Sequence, residues 1–441
     1  MKKILYLILL LPFFSLQSCI EDEKDIFDTS AAERIAAAMK EYRATIAAAE
    51  NGWLLAYYPE KNHSIGGYNM IAKFTADGNV TLCSEVATTH YQMGDTVSSE
   101  YDIISDMGPV LTFNTYNEII HYFTEPKGSQ DVDGMCGDYE FVFMEVTPSK
   151  IVLKGKKYGN KLVMTRLDGP LNAKEYFQEV LVAEEASSYG NYNFLINEDT
   201  ICIANRSGRV LTVSYNEINA EGETVVNEED LAFTCTPTGI KLYEPFVYTR
   251  DDRNNQQVTM ENFEWNEEQK SFICTDAGVD VKLAVYMPEG FHFYNDYLGN
   301  YTMKYTGGKT ATVTISQKES KKTYTLSGSV FPYDLELKYD LGAGIIGLKV
   351  QKRLGLISEG LYMGIVMYDS STNYLTWGDA GLKGVVSEEN GKMVITMIDD
   401  KMWVDYKADS FYYYSFDDSG TRVSSYANQY GRFTNVVFVK Q

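Results

Sequence analysis

Residues 30–58 read SAAERIAAAMKEYRATIAAAENGWLLAYY, and the apolar period changes inside this stretch. Ile35, Met39, Tyr42, Ile46 and Ala49 recur at alternating steps of four and three, the spacing of one face of an α-helix. Ser30 followed by Glu33 forms a capping box, which starts the helix. Gly52 is expected to close it, because glycine takes the left-handed conformation at a helix C-terminus. The stripe covers barely three heptads, so it predicts a helix packed on a sheet rather than a coiled coil. After Gly52 the period becomes two. Residues 53–58, 68–74, 80–83, 110–113 and 141–146 read as strands, with turn signals such as Ala76-Asp77-Gly78-Asn79 and Gly66-Gly67 between them.

The same alternation continues to the C-terminus, and only residues 172–183 offer a second, short helical pattern. The chain holds 34 Tyr and 21 Phe but 10 Pro, a balance that suits pleated, half-buried strands. The sharper alternative for this aromatic content is a sugar-stacking surface, which would draw on Trp53, Trp265, Trp377 and Trp403. The expected fold class is mostly β: tandem antiparallel sandwich or barrel units preceded by one N-terminal α-helix. A weak repeat supports the tandem arrangement. Residues 147–153 (TPSKIVL) match residues 236–242 (TPTGIKL), and Gly190-Asn191-Tyr192 matches Gly299-Asn300-Tyr301, with Gly67-Tyr68 as a shorter relative. These echoes predict a helix plus first β unit over 30–170, a second β unit over 171–294, and a third over 295–441. The first two are alternatively one composite domain.

The N-terminus reads differently. Lys2 and Lys3 precede an unbroken apolar run from Ile4 to Phe14, and small residues follow. That is the layout of a secretory signal peptide, and the run is shorter than the roughly 20 residues a spanning helix needs. Leu16-Gln17-Ser18-Cys19 resembles the lipobox of bacterial lipoproteins. The resemblance implies cleavage between Ser18 and Cys19, removal of residues 1–18, and lipidation of the Cys19 thiol. Residues 19–29 then form an acidic tether. Its Glu21, Asp22, Glu23 and Asp25 resemble the signal that sends lipoproteins of the Bacteroidota to the outer leaflet of the outer membrane.

The lipobox, the helix beginning at Ser30-Ala31-Ala32-Glu33-Arg34, Gly52-Trp53-Leu54, residues 137–141 (GDYEF) and residues 236–240 (TPTGI) together resemble an uncharacterised lipoprotein family of the Bacteroidota. That resemblance implies a gene neighbourhood of starch-utilisation-type outer-membrane importers, often with a zinc peptidase. From Leu298 onward the chain also resembles the lipocalin-like β-barrels common in such lipoproteins. No catalytic residues come with either likeness.

The residues themselves exclude some chemistry. With 61 acidic against 39 basic residues and a net charge of −22, nucleic acid is repelled. Cys83, Cys136, Cys202, Cys235 and Cys274 are odd in number and widely spaced. They are expected as free thiols, with one bridge among Cys202, Cys235 and Cys274 as the alternative. His63, His90, His121 and His292 show no metal-ligand spacing, and no G-x-S-x-G is present. Residues 342–347 (GAGIIG) match G-x-G-x-x-G, but an alternating segment follows instead of a helix, so they read as a turn and no cofactor is expected. The most suggestive loop is 131–138, where Asp131, Asp133 and Asp138 offer hard oxygen ligands to Ca²⁺, or else form a solvated acidic turn. These features predict a surface-exposed outer-membrane lipoprotein. It binds a nutrient, glycan or peptide, as a non-catalytic partner of an importer complex. A glycosidase or peptidase with scattered active residues is the alternative, and a structural or adhesive surface protein is the third.

Overall fold

The computed structural model describes residues 29–441 apart from 61, 107, 127, 129–131, 219–221 and 251–255. Ser18, Cys19, Glu21, Asp22, Glu23, Asp25 and Asp131 lie outside the described residues. Strands make up 52% of the chain and helices 11%, so the mostly β class with few helices holds. The chain divides into two compact units, the first ending at Glu179 and the second beginning at Val180. Among the described residues no helix is long and apolar enough to cross a membrane.

The first unit is built on helix α1 (Ala31–Ala47) and a nine-stranded antiparallel sheet. In spatial order the strands are Val97–Glu100, Asn79–Ser84, Tyr68–Phe74, Trp53–Tyr58, Lys161–Arg166, Lys150–Gly155, Glu140–Val146, Pro109–Thr112 and Asp102–Ser105. The capping box forms: Ser30 Oγ accepts from the Glu33 N–H at 3.3 Å, and Glu33 accepts from the Ser30 N–H at 2.9 Å. Ile46 and Ala49 are buried in the sheet's core, with Met39 and Tyr42 packed beside them, so the stripe meets the sheet. Gly52 is not the helix cap. The helix ends at Ala47 with Ala48 as its cap, and Gly52 (φ +88°) turns the chain into the first strand, where a Cβ would press on the Ala72 carbonyl. A one-turn helix α2 (Glu118–His121) and a longer helix α3 (Ala173–Ala186) follow along the chain.

The second unit begins within α3 and contains two closed barrels of eight strands each, one from Asn191 to Val285 and one from Gly299 to Lys440. Strict alternation inside and out marks some of the strands, as in Asn191–Ile196, where every second residue is buried. The second barrel carries two insertions, residues 351–376 and 410–434, which pair into a separate six-stranded sheet. Met363, Ile365, Met367, Phe411 and Tyr413 on one face of that sheet join the barrel's core.

The repeat has a physical basis in turn chemistry. In both TP-hairpins the threonine hydroxyl caps the turn: Thr147 Oγ1 accepts from the Lys150 N–H at 2.9 Å, and Thr236 Oγ1 from the Gly239 N–H at 3.0 Å. Both Gly-Asn-Tyr strands bury their tyrosine, whose hydroxyl donates to a carbonyl just upstream, Tyr192 to Ser187 and Tyr301 to Tyr297. Residues 341–344 are the turn between strands Leu335–Asp340 and Ile345–Lys349, with the Asp340 carboxylate accepting from the Gly342 and Ala343 amides.

Candidate functional site

The 131–138 loop is shaped by its glycines. The Met135 and Gly137 amides converge on the Phe123 carbonyl at 3.1 and 2.9 Å, and Cβ atoms at Gly134 or Gly137 would collide with the 123–125 segment. This close approach turns Asp138 inward, where 3% of it is exposed. The Tyr57 hydroxyl receives the Asp138 N–H at 2.6 Å and donates to the Asp138 carbonyl at 3.1 Å. The Asp138 carboxylate accepts from the Lys157 and Tyr158 amides at 2.9 and 3.0 Å. Burial pushes its carboxyl up and these amides pull it down, with burial prevailing. Asp138 therefore holds the loop to the 156–160 turn.

Between loop and turn lies a cleft of about 410 Å³, lined by Asp133, Asp138, Tyr139, Glu140, Lys156, Lys157 and Tyr158, within the size range of small-ligand sites. Tyr139 is 43% exposed, and its ring stacks on the His121 imidazole with centroids 4.9 Å apart. Tyr116 packs on the same imidazole at 5.0 Å. Helix α2 sets this stack: Asn117 caps it by accepting from the Ile119 N–H at 3.1 Å, and His121 Nδ1 lies 2.9 Å from the Asn117 carbonyl. Burial lowers the His121 pKa, which favours a neutral ring behind Tyr139.

Charges on the rim are paired. Tyr158 donates to Asp133 at 2.5 Å, Lys157 lies 3.5 Å from the same carboxylate and 4.3 Å over the Tyr158 ring. The Tyr158 hydrogen bond and then Lys157 hold the Asp133 carboxyl below its ordinary range. Lys156 bridges Asp106 at 2.5 Å and Glu140 at 3.3 Å, and both raise its pKa. The cleft thus offers aromatic surface beside fixed donors and acceptors.

Asp133 and Asp138 line one cleft and engage different groups of the same two residues, Asp133 the Tyr158 hydroxyl and the Lys157 ammonium, Asp138 their backbone amides; Asp131 lies outside the described residues. Among the described residues no three His, Cys, Asp or Glu side chains gather as a metal site. Among the described residues Cys83, Cys136, Cys202, Cys235 and Cys274 form no disulfide, so no bridge forms among the last three. His90 pairs with Glu118 at 2.9 Å, and the His292 carbonyl receives the Tyr339 hydroxyl. Tyr139, Lys156, Lys157, Tyr158 and His121 were not singled out by sequence pattern as a site.

Residues 23–267, more than half of the chain, match the family model described as Domain of unknown function (DUF4302). The chain belongs to this family. The helix start, Gly52-Trp53-Leu54, the 137–141 motif and the second TP-turn all fall inside the matched region. Residues 275–414 match a second domain of unknown function, DUF4987. The two regions meet inside the first barrel, whose last strand, Val281–Val285, lies in the second. No curated protein matches the DUF4302 chain. Two mutant forms of the vaccine antigen transferrin binding protein B from Haemophilus parasuis Hp5 align over 88% of this chain and 74% of theirs, at 11% identity. Their TM-scores are 0.14 and 0.13, too low to carry an argument about fold or function.

Proposed function

We propose that this DUF4302 protein is a lipid-anchored outer-membrane lipoprotein, facing the medium, that captures a hydroxyl-rich ligand such as a glycan fragment for an importer and does no chemistry on it. The carrying observation is the cleft beside Asp133, where the exposed, His121-backed Tyr139 ring stands next to paired charges. An aromatic face suits the C–H side of a sugar ring, and neighbouring carboxylates and ammonium groups suit its hydroxyls. Asp138 is engaged by backbone amides, which favours a positioning role over acid–base work. The importer link rests on the Bacteroidota resemblance alone, and the division into β units at 30–170, 171–294 and 295–441 belongs to the same proposal.

Affinity electrophoresis of the full chain through gels containing neutral polysaccharides tests the cleft. Retardation by at least one of them is expected, and Tyr139→Ala should weaken it about tenfold, since aromatic anchors dominate such contacts. Equal retardation of wild type and variant by every retarding polymer would place binding elsewhere. Release of shortened products would favour the glycosidase reading.

The anchor is tested separately. Cys19→Ser is expected to move the protein from the membrane to the soluble fraction and to abolish fatty-acid labelling, because the thiol that takes the lipid is gone. Continued labelling would remove the anchor from this reading. Protease treatment of intact cells should digest the wild type if it faces outward.

A further inference from the structure

The six-stranded sheet inserted in the second barrel has two faces of different character. Opposed residues Tyr362 and Phe416, Gly364 and Tyr414, and Val366 and Tyr412 share the face turned away from the barrel core. Val366, Tyr368, Tyr412 and Phe416 are buried there, with Trp377 and Tyr414 half-buried over them. Guanidinium groups cover these rings. Arg422 Cζ lies 4.2 Å from the Trp377 centroid and 5.7 Å from that of Tyr414. Arg432 Cζ lies 4.5 Å from Tyr368 and 5.6 Å from Tyr412.

What these two guanidinium groups lack is informative. The other six arginines with described side chains each donate to a carboxylate or a carbonyl: Arg34 to Thr29, Arg43 to Asp102, Arg166 to Ala48, Arg206 to Ser187, Arg209 to Glu184 and Arg353 to Asp418. Among the described residues neither Arg422 nor Arg432 makes an ion pair or a side-chain hydrogen bond, in a chain with 61 acidic residues. A guanidinium held over a ring by cation–π attraction is restrained while its N–H donors stay available. The fork of these donors matches a planar carboxylate in two parallel hydrogen bonds, and the restraint reduces the ordering cost of binding.

We propose that this face binds an acidic oligosaccharide, with uronate carboxylates held by Arg422 and Arg432 and sugar rings resting beside Trp377 and Tyr414. An acidic peptide fits less well. Extended peptides are taken by sheet edges or grooves through backbone bonds, and these donors stand on the face of the sheet. The net charge of −22 disfavours a long polyanion, but charges beyond about 8 Å are screened at physiological salt, so a short ligand senses the two local cations. The site shares no residue with the cleft beside Asp133 and does not depend on it.

Calorimetric titration of the full chain with trigalacturonate, its methyl ester and triglutamate is the test. Trigalacturonate should bind at least tenfold more tightly than the other two, and weaken as salt rises. Arg422→Gln with Arg432→Gln should lose at least tenfold in affinity. The Arg422→Lys, Arg432→Lys form keeps the charge without the fork, should lose most of the affinity as well, and decides the matter if the glutamine form fails to fold. Tyr139→Ala should leave trigalacturonate binding unchanged. Absence of trigalacturonate binding, equal binding of triglutamate, or full affinity in the folded double variants would overturn the proposal. Loss of binding in Tyr139→Ala alone would move the acid to the cleft and leave only the cleft reading standing.

Discussion

Glu184→Ala is expected to destabilise the α3 end of the second unit by up to about 3–5 kcal/mol, the cost of breaking a fully buried ion pair from one side, with the 23% exposure of the Glu184 side chain favouring the lower end. Glu184 sits in the last turn of α3, and Arg209 grips it with two bonds, Nε to Oε1 at 2.8 Å and Nη2 to Oε2 at 2.6 Å. Arg206 approaches the same carboxylate at 3.9 Å. The two arginine side chains are 8% and 4% exposed, so alanine would leave two cations with little access to water. The helix carbonyls nearby share this charge: Arg206 donates to Ser187, and Lys321 donates to Glu185 and Ala186 at 2.5 and 2.8 Å. Cations at a helix C-terminus suit its dipole, so they remain after the substitution but lose their counter-ion. Burial raises the Glu184 carboxyl, but Arg209 and then Arg206 outweigh it and the net shift is downward. A depressed folded value means the contribution is present above the ordinary carboxylate value of 4.5 and is lost as pH falls through the folded value. Acidification below that point should therefore cost the wild type more than Glu184→Gln. Because several β units are present, one global unfolding energy is poorly defined. Hydrogen exchange of peptides covering 180–210 is the suitable measurement, and unchanged protection in Glu184→Ala would refute the assignment.

Sequence pattern disclosed what is local and periodic. The α1 stripe and the early strands follow from their periods, and the observed strands Trp53–Tyr58 and Tyr68–Phe74 coincide with the residues that alternate. The TP and Gly-Asn-Tyr echoes were legible because threonine capping and a buried tyrosine act within a few residues. The inserted sheet was not. Its central strand, Leu361–Asp369, buries seven residues in succession, since one face meets the barrel and the other carries its own aromatic cluster. A strand covered on both sides has no period to read. Gly52 misled because a glycine after a helical stripe signals a cap, whereas here its positive φ turns the chain into the first strand, where a side chain would press on the Ala72 carbonyl. The cleft was half legible. The acidic loop drew notice, but its direction depends on Tyr57, 81 residues from Asp138 in sequence. Tyr139 stands out only once the single turn Glu118–His121 brings an imidazole behind it.

Asp138→Ala is expected to lower the stability of the first unit by about 2–4 kcal/mol and to dismantle the cleft with it. The carboxylate serves the part-buried Lys157 and Tyr158 amides, and each donor left without an acceptor costs at most the roughly 1–3 kcal/mol of a fully buried one. Relief of the carboxylate's own burial offsets part of that. Nothing larger can replace the contact from the far side, because a Cβ on Gly155 would run into the Asp138 carboxylate. Asp138→Asn keeps one oxygen acceptor and should cost roughly half as much. Its pH dependence has the opposite sign to that of Glu184. The folded Asp138 carboxyl lies above its ordinary value of 3.8, so ionisation favours the unfolded chain. The wild type's advantage over Asp138→Asn should therefore be greatest below that value and shrink as pH rises through the folded one. Hydrogen exchange at residues 157–160 reads the turn, and polysaccharide affinity reads the cleft. If Asp138 positions Tyr139 and Tyr158, exchange and affinity should change together in Asp138→Ala, while Tyr139→Ala should change affinity alone. Loss of protection at the turn with unchanged affinity would separate Asp138 from the site and leave it a role in folding only.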